Sequence, residues 1–182
     1  MSRKNGNWTI KATKEKFSND YFKVFEDAVI QPDGENGKYA TIEFVAGASV
    51  LPVDDDGFVY LIEQFRYGAG RKTLETVAGA IEKGTPLETA KRELKEELGI
   101  TAKEFIKLGK IQIDHSIIKN ETTQYVARKL KFNEPDPDDE EEKPKLVRIK
   151  FEEAVEKVLN GEITHAPSCV LILKAWVKIG KD

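Results

Sequence analysis

Residues 75–101, ETVAGAIEKGTPLETAKRELKEELGIT, carry the strongest helix signal in the chain. Thr85 is a suitable N-cap, Pro86 suits the first helical turn, and Gly99 stands where a helix normally ends. Apolar residues recur between these signals at the spacing of one helix face, and they are Leu87, Ala90, Leu94 and Leu98. The stretch therefore predicts a short strand, a loop bounded by glycine, and one amphipathic helix over residues 85–98.

Three glutamates of this helix fall within a single arc of about 100° beside the apolar stripe. They are Glu93, Glu96 and Glu97, and the only basic residue three or four positions from any of them is Arg92. Like charges at this spacing cost roughly 0.2–0.5 kcal/mol per pair, and the helix dipole disfavours anions in the last turn. Mg²⁺ would offset this repulsion, because it prefers carboxylate oxygens and shares them with phosphates. The arc therefore indicates either a metal site or an acidic surface face.

The composition limits the class of protein. With 182 residues, 40% hydrophobic and 34% charged, the chain is long enough for one domain, or one domain plus an arm. A formal net charge of −3 gives no reason to expect nucleic-acid or membrane binding. A single cysteine, Cys169, excludes an internal disulfide and fits a reducing compartment. The N-terminal MSRKNGNWTIK lacks the apolar core of a signal peptide, so we expect a soluble, cytoplasmic protein.

Short β-like runs occupy the N-terminal part of the chain, at residues 8–11, 21–30 and 39–45. The polar turn QPDGENG joins the last two runs into a hairpin. This hairpin has little apolar material to bury by itself, so it must pack on the rest of the chain or on another subunit. We therefore expect an N-terminal β arm at residues 1–47 and a main domain at residues 48–182.

The main domain is expected to be α+β, because strands and helices are mixed along it. Strands are predicted at residues 48–53, 58–65, 103–114, 122–132 and 146–151. Helices are predicted at residues 85–98, 152–160 and 168–179, and they could cover both faces of a sheet. The sequence Asp54-Asp55-Asp56-Gly57 is typical of a turn rather than of a metal loop. His115 and His165 are expected to be loop or capping residues, and Cys169 a core residue.

Two polar segments each leave two interpretations open. Arg66, at the end of a predicted strand, could be an ordinary strand-end arginine or could bind a phosphate in a bidentate manner. Residues 133–145, NEPDPDDEEEKPK, are too rich in proline and acidic residues for a packed element. This loop is either simply solvated or an active-site loop that supplies a carboxylate.

From Gly79 to Ile100 the sequence resembles the Nudix box. That motif consists of Gly, five residues, Glu, seven residues, and then Arg-Glu-aliphatic-any-Glu-Glu-any-Gly-aliphatic, and its second half is complete here as RELKEELGI. The first half departs from the pattern, because Gly79 to Arg92 is one residue short and Thr85 replaces the first glutamate. The shortening falls in the loop before the helix, so the helical phase of the three glutamates is unchanged.

Other parts of the chain are similar to ADP-ribose pyrophosphatases and related nucleoside-diphosphate-sugar hydrolases. The similarity lies in LIEQFRY, LETVAGAIEKG, GEITHAPSCVLILKA, the N-terminal hairpin and the acidic loop. It implies a Nudix α/β/α sandwich with a mixed sheet, and an N-terminal β-strand arm that typically exchanges with a second subunit in a homodimer. It also implies a Nudix pyrophosphatase that uses Mg²⁺, with Mn²⁺ as an alternative ion. The implied reaction splits ADP-ribose or a related nucleotide sugar into a nucleoside monophosphate and a sugar phosphate.

The same resemblance implies roles for individual residues. The metal ligands would be Glu93, Glu96, Glu97 and the carbonyl group of Ala78, with Arg92 orienting the glutamates. The substrate-binding residues would be Arg66, Glu75, Gly79 and Glu121. Catalysis would involve Glu97 and a general base from the acidic loop, for which Glu142 is preferred over Glu140 or Glu141. Ser116-Ile117-Ile118 replaces the Ser-Pro-Gly often found before the second acidic substrate residue, so the identity of the sugar stays open.

Two further functions stay open at this point. One is a hydrolase of nucleoside triphosphates or dinucleoside polyphosphates, against which the N-terminal arm and Arg66 argue. The other is a catalytically silent Nudix-fold module that only binds nucleotides, against which the complete second half of the box argues.

Overall fold

The computed structural model describes residues 2–133 and 144–180. The strands in this part of the chain are β1 (Arg3–Asn5), β2 (Trp8–Ser18), β3 (Phe22–Ile30), β4 (Asn36–Phe44), β5 (Gly47–Pro52), β6 (Phe58–Arg66), β7 (Arg71–Glu75), β8 (Val77–Ala80), β9 (Ile100–Ile111), β10 (Ile118–Lys119), β11 (Thr122–Phe132) and β12 (Lys145–Lys150). The helices are α1 (Pro86–Leu98), α2 (Phe151–Leu159) and α3 (Ala166–Ile179). None of these helices is long and apolar enough to cross a membrane.

The described chain divides into two compact units. The first unit contains the residues up to Val45 together with Gln112–Glu121, and the second contains Ala46–Ile111 together with the residues from Thr122 onward. The placement of residues 112–121 in the first unit was not foreseen from the sequence. The expected division into an arm at residues 1–47 and a main domain at residues 48–182 stays a prediction.

The first unit is a five-stranded sheet in the order β1-β2-β3-β4-β10. Its strands pair antiparallel, except that β10 pairs parallel with β4. Three aromatic rings stack on it, with the Phe22 ring centroid 5.4 Å from that of Phe17 and 5.5 Å from that of Phe44. Phe17 is 50% exposed and the neighbouring Tyr21 is 73% exposed. This unit therefore presents an uncovered aromatic patch.

The second unit contains a four-stranded mixed sheet in the order β8-β5-β11-β9 and a three-stranded antiparallel sheet in the order β12-β6-β7. Side chains alternate between two faces along a strand. In β5, Ala48 and Val50 join a core with α1, whereas Leu51 joins a second core with α2 and α3. Tyr125 and Val126 of β11 divide in the same way. The strands are thus covered on both faces, and the predicted α+β fold with an α/β/α sandwich and a mixed sheet is confirmed.

Helix α1 forms where its local signals predict it. Thr85 caps it, since its side-chain oxygen accepts a hydrogen bond from the Glu88 backbone N–H while the Glu88 carboxylate accepts one from the Thr85 backbone N–H. At the other end, Gly99 adopts a left-handed conformation with φ of 65°, which glycine takes without strain. Ala90, Leu94 and Leu98 are buried, as their spacing predicts. The helix therefore holds its polar residues in a fixed orientation relative to the sheet.

Several elements differ from the sequence-based expectation, among them three of the second unit. No strand is predicted at residues 71–74, but Arg71 and Lys72 pair with β6 in strand β7. Strand β9 lies at Ile100–Ile111 instead of 103–114, because it begins directly after the Gly99 cap of α1. Phe151 was assigned to a strand but opens helix α2. The Asp54 turn is confirmed, because the Asp54 carboxylate accepts hydrogen bonds from the backbone N–H groups of Asp56 and Phe58.

Candidate active site

An arginine–carboxylate pair lies on the hairpin of β6 and β7. Arg66 Nη2 donates a hydrogen bond to Glu75 Oε2 at 2.7 Å, and Arg66 Nε donates one to Glu75 Oε1 at 3.1 Å. The hydroxyl of Thr73 donates a third to Glu75 Oε1 at 2.6 Å. The Glu75 side chain is only 3% exposed, whereas that of Arg66 is 46% exposed. The buried carboxylate thus holds a guanidinium group that still reaches the surface.

Both members of this pair are charged at neutral pH. Burial alone would raise the pKa of Glu75, but the hydrogen bonds from Arg66 and Thr73 outweigh it and hold that pKa below its usual value. The pKa of Arg66 is raised, mainly by its hydrogen bonds to Glu75. The negative charge of Glu75 is therefore matched within the protein, and the guanidinium is fixed in one orientation.

The three glutamates of α1 lie in different environments. Glu96 is exposed, at 54% of its side chain, whereas Glu93 is 14% exposed. The Oε2 atom of Glu97 is buried and has no hydrogen-bond partner among the described residues. The pKa of Glu97 is raised to about 8, first by burial and then by the negative charge of Glu93, while Arg66 opposes the rise. Glu97 therefore carries a buried carboxyl group that lacks a matched positive charge.

Arg92 contacts the other two glutamates of the arc. Its Nη2 lies 2.5 Å from Glu93 Oε1, and its Nη1 lies 2.6 Å from Glu96 Oε2. Burial raises the pKa of Glu93, and Arg92 only partly offsets this effect. The ion pairs expected between Arg92 and the glutamates are thus present for Glu93 and Glu96. Among the described residues, Arg92 forms no such pair with Glu97.

The carboxylate oxygens of Glu93 and Glu97 and the carbonyl oxygen of Ala78 are donor atoms that suit a divalent cation. No group of three His, Cys, Asp or Glu residues in the described chain already encloses a metal position. Mg²⁺ does not require such a cage, because it usually binds one or two carboxylates and keeps water and phosphate oxygens as its other ligands. Glu93 and Glu97 supply two carboxylates with incompletely matched charge. The remaining positions would be open to the Ala78 carbonyl, to water and to a phosphate group.

Gly79 allows Glu93 to lie directly against strand β8. A Cβ atom at Gly79 would overlap the carboxyl group of Glu93, so any larger residue there would displace this side chain. Gly79 follows Ala78, whose carbonyl group is the expected backbone ligand. The glycine of the motif is therefore explained by close approach of a functional side chain, and its backbone does not need a positive φ.

We expect Gly79→Ala to lower kcat/KM of the enzyme by about 10- to 100-fold, because displacement of a catalytic group by about 1 Å has effects of this size. Steady-state kinetics and the melting temperature check this expectation. Gly68→Ala is the matched control, since a Cβ at Gly68 meets no atom within 4 Å and its φ is not positive. Equal kinetics for the two variants would contradict the proposed role of Gly79.

His165 is a site residue that the sequence analysis missed. It stands at the N-cap of α3, in agreement with a capping position, but its side chain makes no capping hydrogen bond. Its Nδ1 atom lies 2.8 Å from Ser168 Oγ and 3.5 Å from Glu75 Oε2. No local sequence signal indicates this contact, because it depends on where the beginning of α3 packs against β7.

The roles of the remaining predicted site residues stay predictions. Glu121 belongs to the first unit, at the end of Gln112–Glu121, and its substrate-binding role stays a prediction. Glu140, Glu141 and Glu142 lie outside the described residues, so the choice of general base also stays a prediction. Cys169 is partly buried against the core of α2 and α3, as expected.

Comparisons with known proteins identify the family of the chain. Residues 43–168 match the NUDIX domain. The chain is 29% identical over 163 residues to the ADP-ribose pyrophosphatase of Bacillus subtilis (strain 168), covering 88% of each protein. It is 26% identical over 166 residues to the methanol dehydrogenase activator of Bacillus methanolicus, covering 90% of this chain and 89% of that protein.

A solved structure extends the comparison to the fold. The crystal structure of an ADP compounds hydrolase superposes with a TM-score of 0.80, covering 99% of this chain and 98% of that chain at 22% sequence identity. The fold is therefore shared over almost the whole chain. The family and the enzyme class predicted from the sequence, a Nudix pyrophosphatase, are confirmed, and the chain belongs to the Nudix domain family.

Proposed function

We propose that this protein hydrolyses the pyrophosphate bond of ADP-ribose or a related nucleoside-diphosphate sugar in a Mg²⁺-dependent reaction. The observation that carries the proposal is the unmatched, buried carboxyl group of Glu97, with Glu93 and the Arg66–Glu75 pair close enough to influence its pKa. A cation that binds Glu97 removes the repulsion between these carboxylates. A pyrophosphate supplies further anionic oxygens, which suit both that cation and an arginine.

The relatives and Arg66 support this choice of substrate class. One relative that covers 88% of this chain is named ADP-ribose pyrophosphatase. Arg66, fixed by Glu75 and 46% exposed, is suited to hydrogen-bond a phosphate oxygen of such a substrate. The products would be a nucleoside monophosphate and a sugar phosphate, because hydrolysis divides the diphosphate between its two ends.

The residues of the chain would have separate roles in this hydrolysis. Arg66 binds a phosphate oxygen and fixes the direction of the substrate, while Arg92 holds Glu93 and Glu96 in their orientation. When bound at Glu93, Glu97 and the Ala78 carbonyl, Mg²⁺ would supply charge neutralisation and an acidified water molecule. A carboxylate of the acidic loop, for which we retain Glu142 ahead of Glu140 and Glu141, would take up the proton of the attacking water.

A substrate panel tests the proposal directly. The protein is incubated with ADP-ribose, sugar nucleotides, dinucleoside polyphosphates, nucleoside triphosphates and NADH, each with Mg²⁺, Mn²⁺ or EDTA, and products are separated by chromatography. We expect AMP and ribose phosphate from ADP-ribose, and no turnover in EDTA. Preferred turnover of triphosphates or dinucleoside polyphosphates would replace the proposed substrate, and binding without turnover would indicate a silent module.

We further propose that the protein is a homodimer formed through its N-terminal arm, and that it acts in the cytoplasm. The support for the dimer is the aromatic patch of the first unit, where Phe17 and Phe44, which both contact the Phe22 ring, are exposed by 50% and 37%. A patch of this kind on one face is typical of an association surface. The single cysteine, Cys169, supports the reducing compartment.

The dimer predicts a mass near twice that of the 20.5 kDa chain in size-exclusion chromatography with light scattering. Phe17→Ser with Phe44→Ser is expected to raise the dimer dissociation constant by at least about tenfold, because each change removes apolar area from the surface. Val177→Ser, at a residue of α3 that is 78% exposed, serves as the control. A wild-type protein that stays monomeric at micromolar concentration contradicts the proposal.

A further inference from the structure

A buried polar network connects the beginning of α3 to the Arg66–Glu75 pair. Ser168 Oγ is fully enclosed and accepts a hydrogen bond from the Thr76 backbone N–H at 2.9 Å. The same oxygen lies 3.2 Å from Thr76 Oγ1 and 2.8 Å from His165 Nδ1. His165 Nδ1 is in turn 3.5 Å from Glu75 Oε2. The side chain of His165 is 34% exposed, whereas that of Glu75 is 3% exposed. Glu75 is therefore bounded by Arg66 on one side and by His165 on another.

The contacts of Nδ1 favour one tautomer of His165. A lone pair on Nδ1 would lie 3.5 Å from a carboxylate oxygen of Glu75, which is repulsive in a buried site. With the proton on Nδ1, the ring donates to Ser168 Oγ and presents a positive N–H dipole to Glu75. Ser168 can then donate its own proton to Thr76 Oγ1, so that each of these groups has a partner. Burial lowers the pKa of His165, with Glu75 opposing this shift and Arg66 adding to it, so the ring is neutral near pH 8.

We propose that His165 is a positioning residue of the substrate site, whose Nδ1–H dipole lies 3.5 Å from Glu75 Oε2, holds this carboxylate electrostatically and thereby fixes the orientation of Arg66. This inference rests on the proposed function, because Arg66 is taken to bind the substrate phosphate. His165 itself does not touch the reacting atoms in this scheme. Its effect is to keep the buried carboxylate from rotating away from the guanidinium group.

The tautomer can be measured without any substrate. Nitrogen-15 NMR of the histidine rings, at about pH 8 and without added metal, is expected to show His165 protonated on Nδ1, with the signal assigned through its loss in His165→Asn. Glu75→Gln is expected to weaken this preference, because the amide no longer presents a full negative charge. A ring protonated on Nε2 in the wild-type protein, or a tautomer ratio unchanged by Glu75→Gln, overturns the proposal whatever the substrate is.

Two variants at position 165 separate the effect of the Nδ1–H group from the effect of the packed ring. Asparagine places an amide N–H at the position of Nδ1, whereas phenylalanine keeps a ring and has no donor. We expect His165→Phe to raise KM for ADP-ribose about tenfold with kcat changed by less than about threefold, and His165→Asn to stay within about threefold of wild type on both parameters. Val177→Ala, exposed on the same helix, is the control that leaves both parameters unchanged.

A double-mutant cycle shows whether His165 acts through Glu75. In the Glu75→Gln background, adding His165→Phe is expected to raise KM by less than about twofold, because the carboxylate that it positions is already gone. The same tenfold increase in both backgrounds would assign His165 a purely structural role. Failure of the wild-type protein to hydrolyse any member of the substrate panel would refute the proposed function, and the NMR result would still decide the role of His165.

Discussion

Glu97→Gln is expected to abolish turnover, with a loss of about 10³-fold or more in kcat, corresponding to about 4 kcal/mol of transition-state stabilisation. The glutamine has the shape of the carboxylate but is neutral, so it cannot serve as an anionic ligand for Mg²⁺. The measurement is the rate of product release from ADP-ribose at saturating Mg²⁺, with circular dichroism to confirm the fold. Glu156→Gln, at an exposed glutamate of α2, is the matched control and keeps full activity. Full activity in Glu97→Gln contradicts the metal assignment.

The same substitution is expected to stabilise the metal-free protein at alkaline pH. The folded-state pKa of Glu97 is about 8 and its ordinary value is 4.5, so between these values the folded state holds a proton that the unfolded state has lost. Stability from this group therefore falls as the pH rises from about 4.5 to about 8. The melting temperature of wild type in EDTA should decline over this range more steeply than that of Glu97→Gln. Mg²⁺ at pH 8 should raise the wild-type value and have a smaller effect on the variant.

The helical spacing of the three glutamates predicts the order in which they are buried. At about 100° per residue, Glu97 lies about 65° from the centre of the apolar stripe, Glu93 about 105° and Glu96 about 165°. The structure follows this order, since Glu96 is 54% exposed, Glu93 is 14% exposed, and Glu97 has a fully buried oxygen. A helix with local caps has a fixed rotation, so its side-chain environments are predictable from spacing alone. This explains why the helix and its arc of three like charges could be predicted from the sequence.

The contacts around Glu75 could not be predicted in this way. Arg66 and Glu75 meet because β6 and β7 form a hairpin, and the glycine- and base-rich segment between them gives the signal of a loop instead. His165 reaches Glu75 because α3 packs its buried Ser168 against the backbone of Thr76. Both contacts depend on how separate elements meet, which is decided by core packing rather than by local propensity. The box motif predicts the metal ligands, whereas only the structure shows what holds Arg66.

Arg66→Ala is expected to lower both substrate affinity and stability. Without the guanidinium group, kcat/KM for ADP-ribose should fall on the order of 10²-fold, mainly through KM, because a bidentate charged contact to phosphate is lost. The Glu75 side chain, 3% exposed, would also lose its counter-charge. We expect a stability loss of about 2–3 kcal/mol, below the 3–5 kcal/mol typical of a fully buried pair, because Arg66 itself is 46% exposed. Kinetics and urea unfolding measure the two effects separately.

The pH dependence of this stability loss should have a definite sign. In wild type the pKa of Glu75 lies below its ordinary value of 4.5, so the pair stabilises the fold above that pH and its contribution is lost as the pH falls through the folded-state pKa. In Arg66→Ala, burial dominates and raises the pKa of Glu75, so the carboxylate destabilises the fold increasingly as the pH rises above about 4.5. The difference in melting temperature between wild type and variant should therefore be large near pH 7 and should shrink as the pH falls below 4.5 and through the folded-state pKa of wild type.

Two companion variants separate the structural effect of Arg66 from its contact with substrate. Arg66→Ala with Glu75→Gln is expected to recover part of the stability at pH 7, because the unmatched buried charge is gone, and to keep the lowered kcat/KM of Arg66→Ala. Arg66→Lys keeps the charge but cannot form the paired hydrogen bonds, so it should retain more stability than Arg66→Ala while KM stays raised. If the double variant regained activity together with stability, Arg66 would be only a structural partner of Glu75. Recovery of stability alone would place the arginine in the substrate site, because only the contact with phosphate would then still be missing.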